Sequence, residues 1–273
     1  MTNDDFAEIA GVVRRRSGIV LTSDKAYLLE TRLGPVLSRF GLASLAALGQ
    51  KLRRPDEALE RAVVEALTTH ESSFFRDGKP FEHLTKILPK LVASRAPGAP
   101  LRIWSAACST GQEPYSIAML VADTLGARKD CRVEILATDI SAEIIQRARQ
   151  GIFTQFEVQR GLPIRSLVKH FKQDGAKWKI SPELAAMVRF EERNLLNDLS
   201  SLGRFDAIFC RNVLIYFDAP TKTRVLDALA RRLSPDGVLY LGGAETVLGL
   251  TDRLVPIAGE RGAYGISAQR AAA

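Results

Sequence analysis

Apolar residues recur at helical spacing from Asp4 to about Leu67: Phe6, Ile9 and Val13, then Leu28, Leu33, Val36 and Leu37, then Leu59, Val63 and Leu67. No segment of that stretch alternates as a half-buried strand does. Gly18, Gly34, Gly41 and the Arg54-Pro55-Asp56 turn divide the pattern, which predicts a small bundle of short helices. Phe81 to Ser94 reads as a further amphipathic helix, and Ala96-Pro97-Gly98-Ala99-Pro100 as a linker whose prolines stop it and set up extended chain. Beyond Pro100 the period changes. Strands predicted at Leu101 to Ala107, Val133 to Thr138, Val188 to Glu191, Phe205 to Cys210 and Val238 to Gly242 are interspersed with helices at Glu113 to Leu125, Ala142 to Arg149 and Thr221 to Leu233. That order is the signature of an α/β domain whose mostly parallel sheet is covered on both faces. Leu254 to Ile257 and Gly262 to Ile266 close it as an antiparallel edge hairpin. Gly151 to Ala186 breaks the alternation, with a polar helix around Leu167 to Phe171 and two short arms in Lys172 to Ile180 about an Asp174-Gly175 turn. It is read as a small insertion.

The chain has 273 residues and is 46% hydrophobic, enough for a large domain and a smaller companion with separate cores. No apolar run approaches the roughly 20 residues of a membrane span, and Met1 to Phe6 lacks the basic-then-apolar layout of a secretory signal, so a cytoplasmic protein is expected. Cys108, Cys131 and Cys210 are an odd number at wide spacing with no His or Cys cluster beside them, which argues against disulfides and structural zinc. Cys108 and Cys210 fall in loops assigned to the site below, but packing as buried thiols is the favoured reading of each. The net charge of +7 calls for an acidic partner: nucleic acid, an anionic membrane surface or an acidic protein face. Arg14 to Arg16, Arg32, Arg39, Lys51, Arg53 and Arg54 concentrate basic charge in the first third, where solvated helix faces are the simplest explanation.

Candidate chemistry gathers at predicted strand ends. Ser105-Ala106-Ala107-Cys108-Ser109-Thr110-Gly111-Gln112-Glu113-Pro114 joins the first strand to its helix, where open α/β sheets bind cofactors. Only Gly111 is glycine there, so a phosphate-free nucleoside fits better than a dinucleotide. Glu113 also complements a helix N-terminus without any ligand. Asp139 ends the second strand, placed either to bind ribose hydroxyls or to cap the helix near Ala142; its company with the small-residue loop favours ribose. Asn194 and Leu195 follow the third strand, suited to a flat base. Arg211, Asn212 and Tyr216 follow the fourth. Thr68 to Arg76 reads as a helix end and loop in which Phe74 and Phe75 anchor the charge of Arg76.

Together these segments resemble the CheR-type chemotaxis receptor methyltransferases over nearly the whole chain, from about Phe6 to Ile266. The resemblance rests on Gly18-Ile19-Val20-Leu21 with Lys25 and Leu28 to Leu33, Ser72-x-Phe74-Phe75-Arg76, the loop from Ser105 to Ser116, Ala137-Thr138-Asp139-Ile140, and Cys210-Arg211-Asn212-Val213-x-Ile215-Tyr216-Phe217 in family order. It implies a Rossmann-like class I methyltransferase sheet with an N-terminal all-α domain and a small β insertion. It also implies methyl transfer from S-adenosylmethionine (SAM) to receptor glutamate carboxylates, giving methyl esters and S-adenosylhomocysteine (SAH). Carried over by motif, His70, Ser72, Arg76, Gly111, Glu113, Asp139, Asn194, Leu195, Arg211 and Asn212 bind the cofactor, Arg76 and Tyr216 border the glutamate, and no metal takes part. His70 stands where the family ordinarily has asparagine, and Gly242-Gly243-Ala244-Glu245 replaces the more usual Gly-His-Ser-Glu.

The expected organisation is a receptor-docking helical domain over 1–80, a linker over 81–100, and a SAM-binding domain over 101–273 holding a β-subdomain at about 155–187. That insertion resembles one with which some members grip a receptor tail peptide; its short turn implies little tail dependence. The expected partners are cytoplasmic methylation helices of chemotaxis receptors, acidic coiled coils in the family, with no nucleic acid, no membrane insertion, and a monomeric enzyme. Two rivals are a non-catalytic regulatory module sensing SAM or SAH, against which Arg76 and Tyr216 argue, and a nucleic-acid methyltransferase. The latter lacks an Asn-Pro-Pro-Tyr-like base pocket after the fourth strand.

Overall fold

The computed structural model describes residues 1–126 and 132–267; Cys131 lies outside them. The chain forms two compact units. One comprises Met1–Thr69 with Tyr216–Lys222, the other His70–Ile215 with the chain from Thr223 onward.

The first unit holds α1 (Asn3–Ser17), α2 (Ala26–Arg39), α3 (Leu45–Leu52) and α4 (Glu57–Leu67). Each helix buries its apolar stripe, with Ile9, Val13, Leu29, Leu33, Leu48 and Leu59 fully enclosed. Thr2 and Asp5 cap α1 reciprocally, and Ser44 and Asp56 cap α3 and α4. Gly34 does not break the pattern as expected but sits inside α2 beside Pro35. Burial of Leu29, Leu33 and Val36 along one face outweighs their poor helix propensity. Gly49 has a steric reason to be glycine: a Cβ there would lie 2.9 Å from the Asp5 Cα, so α3 packs backbone-close on α1. The basic run is internally neutralised, since Arg15 and Arg16 pair with Glu60 and Arg14 pairs with Asp218. Residues 216–222 join this unit through a β-bridge of Ile19 with Phe217 and a hydrogen bond from Val20 N to the Tyr216 carbonyl.

The second unit runs α5 (Lys79–Ala93), β1 (Leu101–Ala106), α6 (Gln112–Leu125), β2 (Val133–Asp139), α7 (Ala142–Gln150), β3 (Ile152–Thr154), α8 (Gln155–Gln159), α9 (Ile164–His170), β4 (Phe171–Asp174), β5 (Lys177–Ile180), α10 (Pro182–Ala186), β6 (Val188–Glu192), β7 (Phe205–Cys210), α11 (Ala219–Arg232, its first turn in the helical unit), β8 (Leu233–Leu241), β9 (Leu254–Pro256) and β10 (Ala263–Ile266). The main sheet has the order β6-β2-β1-β7-β8-β10-β9. Its first five strands are parallel, while β10 is antiparallel to β8 and β9. All six residues of β7 are buried, as suits a central strand covered on both faces. The chain works outward from β1 through β2 to β6, then returns to the other side of β1 at β7. That reversal is the topological switch point at which such sheets bind ligands.

Two departures from expectation have simple causes. β8 starts at Leu233 rather than Val238, because Leu233 pairs with Phe205 and an irregularity before Ala207 accommodates Pro235 and Gly237. The small β-subdomain is a three-stranded sheet of order β3-β5-β4 that begins before position 155: the arms about Asp174-Gly175 are β4 and β5, but the three residues of β3 carry no readable period. Phe74 fills this small sheet's core, its ring 5.0 Å from that of Phe153 and 5.7 Å from that of Phe171.

Candidate active site

The loop after β1 leads into α6, whose first turn carries Glu113. Glu113 accepts hydrogen bonds from Ser105 Oγ at 2.8 Å and Arg211 Nη1 at 3.1 Å. Burial raises its pKa, opposed by the Arg211 guanidinium. The space beside Gly111 is taken by Ala148 and Tyr115, each 3.2 Å from where a Cβ would stand, so this glycine lets α6 begin against α7. At the end of β2, Asp139 Oδ2 accepts from Ser109 N at 2.9 Å and Oδ1 from Ser141 N at 3.2 Å. Asp139 does not cap α7; Ser141 does, through its side chain and Ile144 N. Burial raises the Asp139 pKa, offset in part by His70 and by the N–H groups of Ser141, Ser109 and Ile140. His70 is tied to the same loop by its carbonyl, which accepts from Ser109 Oγ.

Arg193 N donates to the Asp139 carbonyl, placing Asn194 and buried Leu195 at the same sheet edge. Asn194 Oδ1 accepts from Leu196 N and so shapes the turn there. Past β7 lies Arg211, its side chain 2% exposed. Arg211 Nη2 donates to the Arg76 carbonyl at 2.7 Å and to Asp77 Oδ2 at 2.6 Å. Arg76 itself is half-buried and donates to the Glu71 carbonyl. Its segment, with half-buried Ser72, is anchored by Phe74 N to the Arg160 carbonyl and by Phe75 N to Ser116 Oγ. Tyr216 ends the short 3-10 turn Leu214–Tyr216 and belongs to the helical unit.

Buried Arg211 Nε and Asn212 Oδ1 have no hydrogen-bond partner. Among the described residues, the five non-glycine positions with positive φ are Phe75, Asp77, Ala107, Ser109 and Asn212. They lie beside Arg76, after β1 and after β7. Backbone strain of about 1–3 kcal/mol each is thus concentrated where the fold puts ligands. Cys108 is buried in the loop after β1, and Cys210 is the last residue of β7, where the predicted strand ends. Burial pushes both thiols well above their ordinary range, which leaves them protonated packing groups. No group of three or more His, Cys, Asp or Glu is arranged to hold a metal among the described residues.

Glu245, quoted above within Gly242-Gly243-Ala244-Glu245 but given no role there, has a defined one in the structure. Glu245 accepts from four backbone N–H groups: Asn212 at 2.9 Å, Val213 at 2.8 Å, Leu214 at 2.7 Å and Gly242 at 2.6 Å. Its signals in the sequence are its place at the end of a strand neighbouring β7 and the motif glutamate it keeps while its neighbours depart from the usual pattern.

The sequence model described as CheR methyltransferase, SAM binding domain, matches residues 70–262, and that of the CheR methyltransferase all-alpha domain matches residues 4–68. The chain belongs to the CheR methyltransferase family. Among its relatives, "Chemotaxis protein methyltransferase 1" of Pseudomonas aeruginosa is 40% identical over 256 residues, 92% of this chain and 93% of that one. "Chemotaxis protein methyltransferase 1" of Vibrio cholerae is 39% identical over 258 residues, 93% of each chain. "Chemotaxis protein methyltransferase" of Borreliella burgdorferi is 33% identical over 256 residues, 91% of this chain and 90% of that one. The family's SAM binding domain spans every residue of the site from His70 to Glu245.

Proposed function

We propose that the protein methylates glutamate side chains of methyl-accepting chemotaxis receptors, using SAM and releasing SAH. The observation that carries this reading is the arrangement at the switch point, where Asp139, Glu113 and Arg211 converge on the loop after β1 in a chain of this family. Asp139 suits ribose hydroxyls, Asn194 and Leu195 suit a base, and the unpartnered Asn212 Oδ1 suits a hydrogen-bond donor on the cofactor. Bound SAM supplies an electrophilic methyl group on a sulfonium.

A glutamate carboxylate is already ionised at neutral pH, so the reaction asks for no general base. What the protein contributes is alignment and exclusion of water. Arg76 offers a half-buried guanidinium on a segment held at Phe74, Phe75 and its own carbonyl, suited to fixing the incoming carboxylate. Tyr216, assigned by motif, offers a hydroxyl donor to the same group. Buried Arg211, engaged by Glu113, Asp77 and the Arg76 carbonyl, acts chiefly by holding that segment.

The receptor is met by basic charge on the helical unit. Arg14 to Arg16 are neutralised and Arg32 donates to the Leu67 and Thr68 carbonyls, whereas exposed Arg39, Arg53 and Arg54, with exposed Lys51 at 3.9 Å from Asp56, form the docking set. Arg39 and Lys51 both lie over the Phe40 ring. No helix among the described residues is long and apolar enough to cross a membrane, and a cytoplasmic monomer acting on receptor cytoplasmic helices is the form proposed.

The test is incubation of purified protein with methyl-labelled SAM and host membranes. Label on receptors, released by mild base as methanol, is the expected result. SAH binding without methyl incorporation would replace this reading with that of a sensor.

A further inference from the structure

Glu245 is the most heavily hydrogen-bonded carboxylate described above. Both its oxygens are used: Oε1 takes Val213 N and Leu214 N, and Oε2 takes Asn212 N and Gly242 N. One side chain therefore ties the exit of β8 to three successive amides just past β7. The chain is shaped to receive it. Asn212 adopts φ 60, turning the N–H groups of 212 to 214 toward one point, as in the concave backbone arrangements that hold anions. Gly242 admits no Cβ, which would stand 2.8 Å from Glu245 Oε2 and 2.9 Å from both Asn212 N and Nδ2. Asn212 Oδ1 is left buried with no partner, so whatever fixes this backbone also fixes where that orphaned acceptor points.

We propose that Glu245 is a positioning residue for the cofactor site, holding Asn212 in its strained conformation so that Arg211 and Asn212 are set before the cofactor arrives. The proposal rests on the reading of Asn212 as a cofactor contact. Strain at Asn212 would relax in an unclamped loop, whereas a charged acceptor shared by four donors keeps it. A glutamine in its place offers one oxygen and an amide NH₂ that faces backbone N–H groups, so the clamp opens without loss of side-chain volume.

The test compares wild type with Glu245→Gln and Gly242→Ala. SAH affinity is read by calorimetry, kcat and the KM values for SAM and for receptor by methyl incorporation, and folding by circular dichroism. Both variants are expected to bind SAH about 10- to 100-fold more weakly and to lose kcat. A purely structural Glu245 would lower the melting temperature and leave SAH affinity of the folded protein within twofold, which overturns the proposal. If neither variant folds, wild-type hydrogen exchange decides: the amides of Asn212, Val213, Leu214 and Gly242 are expected to be protected together before SAH is added, and rapid exchange of these amides in the free protein overturns the proposal. Wild type that binds no SAH removes the cofactor reading and this proposal with it.

Discussion

Asp139 and Arg211 show how single side chains at the sheet edge set the conditions under which the site works. Burial holds the Asp139 pKa above that of an exposed aspartate, and His70 and three backbone N–H groups only partly offset it. Its protonated form lacks the full acceptor capacity that the proposed contact with ribose hydroxyls requires. As pH falls, SAH affinity is therefore expected to decline from a higher pH than an ordinary aspartate would dictate, and Asp139→Asn is expected to be weak throughout with that acid limb gone. Calorimetric titrations across pH check this. Arg211 is a different case, because it is enclosed between Glu113 and Asp77. Arg211→Met leaves buried Glu113 without its counter-charge and should cost roughly 3–5 kcal/mol in urea unfolding, while releasing the Arg76 carbonyl. The sequence made both residues visible through motif and position. It gave no hint that the Arg211 guanidinium is mostly committed to protein partners, since Asp77 and Glu113 are far from it along the chain and only packing brings the three together.

At the scale of elements, the small sheet is a foundation for the Arg76 segment. Phe74 lies in its core, Phe74 N donates to the Arg160 carbonyl, and Arg160 pairs with Glu71. Gly161, at φ 84, makes the close approach possible: a Cβ there would fall 2.1 Å from the Phe74 carbonyl oxygen. Gly161→Ala is expected to destabilise the protein by more than about 1–2 kcal/mol, since left-handed backbone alone costs that much for an alanine. It should also lower kcat more than SAH affinity, as read by urea unfolding, turnover and calorimetry. Phe74→Ala should cost about 3–5 kcal/mol in the same unfolding assay. The parallel strands and long helices were legible because period and length agree there. The insertion was legible at the Asp174-Gly175 turn and at the helix around Leu167, which is α9, but not at β3, α8 and α10, which are three to five residues each and owe their form to a core that Phe74 supplies from outside the insertion.

For the molecule as a whole, the proposed docking of receptor on basic charge sets an expectation. Receptor methylation is expected to weaken as ionic strength rises, and reversing Arg39, Lys51, Arg53 and Arg54 together should raise the KM for receptor while leaving SAH affinity as in wild type. Steady-state assays over a salt series check both. The helical unit has a further property that follows from its return segment. Phe217, Asp218 and Thr221 bridge, pair with or abut Ile19, Arg14 and Gly18, some two hundred positions earlier in the chain. A ribosome releases the first four helices long before it makes those partners, so the amino-terminal bundle emerges first yet waits for late synthesis to be finished.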